Sequence, residues 1–103
     1  DCSGLVQAVL KVCGLDVPRD STQQRDFFAD DRIQVDEAES GDLHFFGRER
    51  KVTHVGFSTG RAGILHSQGK VKEESLDSTD RSANQNLIDM YMSTHSIQRK
   101  FRP

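Results

Sequence analysis

Apolar residues punctuate the chain at two different periods, and the change of period divides it. Leu5, Val6, Val9, Leu10 and Cys13 recur at helical spacing, so the first stretch is a helix with one apolar face. Gly14 follows as a stop. In "LDVPRDSTQQ", Pro18 restricts Val17 to extended geometry. Asp20 or Ser21 can then cap a second short helix running to about Phe28, and Ser21 to Gln24 has capping-box spacing.

The period then shortens. "ADDRIQVDEAESGD" is a polar connector with a brief alternation at Ile33 and Val35. "DLHFFG" is a strand entered through a Gly41-Asp42 turn, "KVTHVGFSTG" a second and "AGILHSQG" a third. Gly60 and Gly63 suit the loop of a hairpin between the last two. "KVKEESL" is charged enough for an edge strand. In "SANQNLIDMYMSTH", Leu87, Ile88 and Tyr91 return to helical spacing, and "SIQRKF" alternates as a closing strand. Helices followed by an antiparallel sheet make an α+β fold.

The chain has 103 residues, which is one domain, 1–103, without repeats or linkers. Only 34% of residues are hydrophobic, so the core is small. A formal net charge of −2 gives no reason to expect a nucleic-acid partner. No apolar run is long enough to span a membrane, and no signal peptide is visible. The chain begins at Asp1 rather than Met, so an upstream piece is expected. A Cys2–Cys13 disulfide conflicts with the first helix. Those residues would lie about 16 Å apart along it, whereas a bridge needs Cα atoms within about 7 Å. Cys13 is expected to pack as a small hydrophobe.

Cys2 is different, because it opens the helix. Unpaired N–H groups and the dipole at a helix start favour a thiolate. The same N–H groups can hold the oxyanion of an attacked carbonyl. Gly4 allows close approach. A thiol nucleophile needs a base and a group to orient that base. His54 and His66 lie on the two arms of the hairpin. With the loop centred on Gly60 their indices sum to 120, so they oppose each other, and shifting the centre by one residue leaves them on the same face. This makes His54 the base and His66 the orienter. His44 is expected to face solvent on its strand, and His95 to lie at the surface after a helix. The plainer readings are an inert terminal thiol and an ordinary polar pair. Zinc is a poor fit, because neither Cys-x-x-Cys nor His-Glu-x-x-His is present.

"DCSGLV", "LDVPRDSTQQ", "SGDLHFF", "THVGF" and "ILHSQG", in this order and at these intervals, resemble the NlpC-type (NlpC/p60) bacterial cell-wall cysteine peptidases. The likeness spans nearly the whole chain. It implies a papain-like core without cofactor or metal, with Cys2 as nucleophile, His54 as base and His66 as the third polar residue. It implies hydrolysis of the γ-D-glutamyl–diamino acid bond in peptidoglycan stem peptides or muropeptides. The chain is also similar to the γ-D-glutamyl-L-diamino-acid endopeptidase branch, which favours a free N-terminal L-alanine. There an Asp-Ser pair binds the amine, and Asp20 and Ser21 stand at those positions, with Ser3 lining the same pocket. The resemblance implies a bacterial envelope or secreted location, or a cytoplasmic one for a recycling enzyme. It also implies a further part of the domain ahead of Asp1, bearing a tyrosine, and an upstream binding domain. A non-catalytic peptidoglycan-binding module and another papain-like amidase or acyltransferase are the alternative functions.

Overall fold

Asp1 starts the first helix: its carboxylate accepts from the Gly4 N–H at 2.8 Å. In the computed structural model, which describes residues 1–101, helix α1 spans Cys2–Val12 and buries Ser3, Val6 and Leu10 along one stripe. Cys2 and Cys13 are both free thiols. Cys13 is exposed rather than packed. The helix ends at Val12, the chain turns through Gly14 at φ 95°, and Leu15 packs against the core. Helix α2 spans Ser21–Phe27, and Asp20 is its cap, accepting from the Thr22 N–H at 2.8 Å.

Six strands form one antiparallel sheet: β1 (Arg32–Ile33), β2 (Leu43–Arg48), β3 (Lys51–Gly60), β4 (Gly63–Gln68), β5 (Lys70–Ser75) and β6 (Tyr91–His95). Their order is β1-β6-β2-β3-β4-β5, so charged β5 is an edge as its composition requires. Neighbouring residues of a strand face opposite ways, and Phe45 and Phe46 accordingly enter different clusters. Leu43, Phe45, Val55 and Phe57 pack with Val6, Leu10, Val17 and Phe28, the main core beneath α1 and α2. Phe46 and Ile64 pack with Leu87 of helix α3 (Gln85–Met90).

The C-terminal quarter departs from its apolar pattern. The helical spacing of Leu87, Ile88 and Tyr91 stops at Met90, where Tyr91 turns extended (φ −59°, ψ 133°). Tyr91–His95 then forms β6, paired with both β1 and β2. "SIQRKF" is not a strand: Gln98–Phe101 is a 3₁₀ turn. It is tied down by Arg99, whose Nε lies 2.9 Å from Oδ1 of buried Asp31. With β6 between β1 and β2 and β5 holding the far edge, the closing strand has no role left.

Candidate active site

The start of α1 is clamped to the segment ahead of α2. Arg19 Nη1 donates to Ser3 Oγ at 2.8 Å, and its Nη2 reaches both Asp1 oxygens at 2.9 and 2.8 Å. Buried Gln24 donates to Ser3 O at 3.0 Å and to Pro18 O at 2.8 Å. A Cβ at Gly4 would lie 2.6 Å from Asp1 Oδ1 and 3.1 Å from Arg19 Nη2, so glycine there lets this clamp close. Asp20 and Ser21 therefore sit one and two residues from a side chain that touches the residue after Cys2. Arg19 and Gln24 are absent from the site read off the sequence; both lie in "PRDSTQQ", where an arginine and a glutamine read as solvated.

Cys2 is half-buried at the first helical position and packs against the main core. The Gly4 N–H is taken by Asp1. The Cys2 and Ser3 N–H groups lie in the first turn, where a helix offers no acceptor.

The hairpin registers one pair further along than its glycines suggest. Phe57 opposes Leu65 and Ser58 opposes Ile64, an index sum of 122. His54 and His66 are thus diagonal neighbours on one face rather than directly opposed. The diagonal suits two rings: His54 Nε2 and His66 Nδ1 are 2.9 Å apart, with the planes at 88°. His66 Nε2 donates onward to Glu74 Oε1 at 2.7 Å. Phe46 flanks His54, with ring centroids 5.8 Å apart. Burial first, and the neighbouring His66 second, push the pKa of His54 down to about 4. The ring is therefore neutral at pH 7. Helix α1 packs on β3, the strand that carries His54. Among the described residues, no hydrogen bond joins Cys2 Sγ to His54.

The other two histidines are buried, not exposed. His44 Nε2 donates to Arg61 O at 3.0 Å, and its Nδ1 meets Thr94 Oγ1 at 2.8 Å. His95 Nδ1 donates to Phe28 O at 2.7 Å, and its Nε2 meets Ser93 Oγ at 2.9 Å. Both bridge β6 to the rest of the fold; alternation alone misplaces His44, and a helix read ahead of His95 hides the strand that buries it. No cluster of three or more metal-ligating side chains occurs among the described residues, and none of their helices is long and apolar enough to cross a membrane.

Comparison with known proteins agrees with this architecture. The chain is 36% identical over 70 residues to a γ-D-glutamyl-L-lysine dipeptidyl-peptidase of Bacillus subtilis, a match that takes in 65% of this chain and 23% of that protein. It is 40% identical over 70 residues to the bifunctional muramidase/DL-endopeptidase CwlT of the same organism, covering 65% of this chain and 21% of CwlT. The chain thus spans under a quarter of the length of these relatives. Among solved structures, the NlpC/p60 domain of the peptidoglycan hydrolase SagA superposes with a TM-score of 0.71 at 29% identity, over 94% of this chain and 76% of that one. Residues 1–94 match the NlpC/P60 family. With the match covering nearly all of the chain and the α+β fold shared, this protein belongs to the NlpC/P60 family and has its papain-like fold.

Proposed function

We propose that this chain is a cysteine endopeptidase domain that cuts the γ-D-glutamyl–diamino acid bond of peptidoglycan stem peptides, with Cys2 as nucleophile, His54 as base and His66 as its orienter. The observation that carries the reading is the 2.9 Å bond between His54 and His66 on adjacent strands, beside a helix that opens with a half-buried thiol. A base held by a second ring is the arrangement nucleophilic acyl transfer requires.

In this mechanism His54 Nδ1 takes the thiol proton as Cys2 Sγ bonds to the γ-glutamyl carbonyl carbon. The Cys2 and Ser3 N–H groups hold the resulting oxyanion. His54 then gives the proton to the leaving amine, and the C–N bond breaks. Water attacks the thioester while His54 takes a proton from it, and the acid leaves as the thiol is restored. Asp20 and Ser21, with Ser3, bind the free amine of an N-terminal L-alanine. Asp20 keeps its capping bond in this role, because that bond uses a single oxygen. The location that fits this substrate is the cell envelope or its exterior.

The test is cleavage of an L-Ala-γ-D-Glu-diaminopimelate tripeptide followed by mass spectrometry. The protein releases diaminopimelate, and Cys2→Ala lowers the rate by at least about a thousandfold. Undiminished cleavage by Cys2→Ala overturns the assignment. Binding of the tripeptide without any turnover by the unmodified protein supports a non-catalytic module instead.

A further inference from the structure

His66 is fully buried, yet one of its ring nitrogens leads to a carboxylate on the edge strand. We propose that Glu74 is a positioning residue of this site, whose carboxylate sets the proton on each imidazole in turn so that His54 presents a bare Nδ1. The proposal rests on the hydrolase reading for its effect on rate, though not for its chemistry.

A carboxylate only accepts, so His66 Nε2 must carry a proton to make the 2.7 Å bond. Neutral His66 then has a bare Nδ1. The 2.9 Å bond at that atom must be donated by His54 Nε2. Neutral His54, its proton thus committed, has a bare Nδ1, the state a general base needs. Reversing the tautomer of either ring would place two lone pairs or two protons against each other.

Glu74 is itself held. Asn84 Nδ2 donates to the same Oε1 at 3.1 Å. Asn84 is in turn fixed as the cap of α3, its Oδ1 accepting from the Leu87 N–H at 3.1 Å and its own N–H donating to Ser75 O at 3.0 Å. An ordinary surface ion pair has no such support on its far side. Burial raises the Glu74 carboxyl, but the hydrogen bonds from Asn84 and His66 and the nearby charge of Lys72 outweigh it, so the group lies below its usual range and is an anion at neutral pH. Three consecutive strands thus supply one member each: His54 from β3, His66 from β4 and Glu74 from β5. When His54 takes the thiol proton, the anion at the far end of the row stabilises the imidazolium.

Glu74→Gln keeps the size and removes the charge. On the tripeptide it should lower kcat about ten- to a hundredfold with KM little changed, the scale by which losing the carboxylate partner of a metal-bound histidine lowers activity. Ring ¹⁵N NMR gives a readout independent of turnover. In the unmodified protein at pH 7, His54 and His66 should each carry the proton on Nε2, and Glu74→Gln should give a mixture of tautomers. Unchanged kcat and unchanged tautomers in the variant overturn the proposal. So does a His66 protonated on Nδ1 in the unmodified protein, a result that decides the matter even where Glu74→Gln does not fold. Failure of the unmodified protein to cut any stem peptide overturns the hydrolase reading alone, because the ring spectra still test Glu74.

Discussion

A single hydrogen atom at Gly56 keeps β3 and β4 close enough for the two rings to meet. A Cβ there would lie 2.7 and 2.8 Å from the Cδ1 and Cγ1 atoms of Ile64 and 2.9 Å from His66 Cβ. Ile64 is fully buried, and a Cβ moves only with its backbone, so neither neighbour yields easily. Gly56→Ala should therefore destabilise the fold by about 1–3 kcal/mol in urea unfolding and lower kcat by displacing His66. A variant as stable and active as the parent would show that the strands part without penalty. Residue-level electrostatics makes a second prediction. Since His54 titrates near 4, the acid limb of kcat/KM belongs near pH 4, not near the ordinary imidazole value. A limb centred at 6.5 would mean that the base is solvated. The exposure of Cys13 matters for any thiol assay. Iodoacetamide will label that residue readily, so Cys2 reactivity has to be read in a Cys13→Ser background.

At the level of elements, the two-residue turn between β2 and β3 is the weakest local choice. Arg48 pairs with Lys51, so Glu49 and Arg50 form the loop, and both have positive φ, 52° and 68°. That is a type I′ turn, for which Asn-Gly is favoured. Replacing the pair (Glu49→Asn with Arg50→Gly) should stabilise the protein by about 1 kcal/mol, seen as a higher urea midpoint at constant slope. A lowered midpoint would show that Glu49 or Arg50 makes contacts worth more than the strain. The hairpins themselves were legible because alternation and glycine spacing report on sheet faces directly. This is also why His54 and His66 could be placed on one face before their register was known. Strand β6 was not legible. Its Ser93, Thr94 and His95 are buried by hydrogen bonds rather than by apolar character, and Tyr91 and Met92 prolong the periodicity of the helix before them. Glu74 was hidden for a related reason: between Lys72 and Ser75 on an edge strand, a glutamate reads as solvated surface. Burial through partners leaves no mark in a hydrophobic pattern.

For the molecule as a whole, three buried histidines set the response to acid. His44, His54 and His95 are each held below the ordinary imidazole pKa, with burial the largest cause in every case. Each has a nitrogen committed to donating: His44 to Arg61 O, His95 to Phe28 O, and His54 to His66 in the row that ends at Glu74. A second proton would put a charge on a ring that burial has taken out of water. The unfolded chain binds these protons near pH 6.5 and the folded chain only at lower pH, so between the two the unfolded state holds more protons. Stability from the neutral rings is therefore complete above 6.5 and is lost as pH falls through the folded values. For His54 the window runs from 6.5 down to about 4, which at 1.36 kcal/mol per unit amounts to about 3 kcal/mol. Against a total of roughly 5–15 kcal/mol for a domain of this kind, that is a large share from one side chain, and His44 and His95 act in the same direction. The urea midpoint should be level from pH 8 to 7 and fall steeply between 6.5 and 4. His95→Gln keeps a polar group near Phe28 O but cannot take a proton, so the steepness should lessen in that variant. A midpoint independent of pH down to 4.5 would mean that these rings accept protons without unfolding, and that the network joining β6 to the sheet is looser than its bond lengths imply.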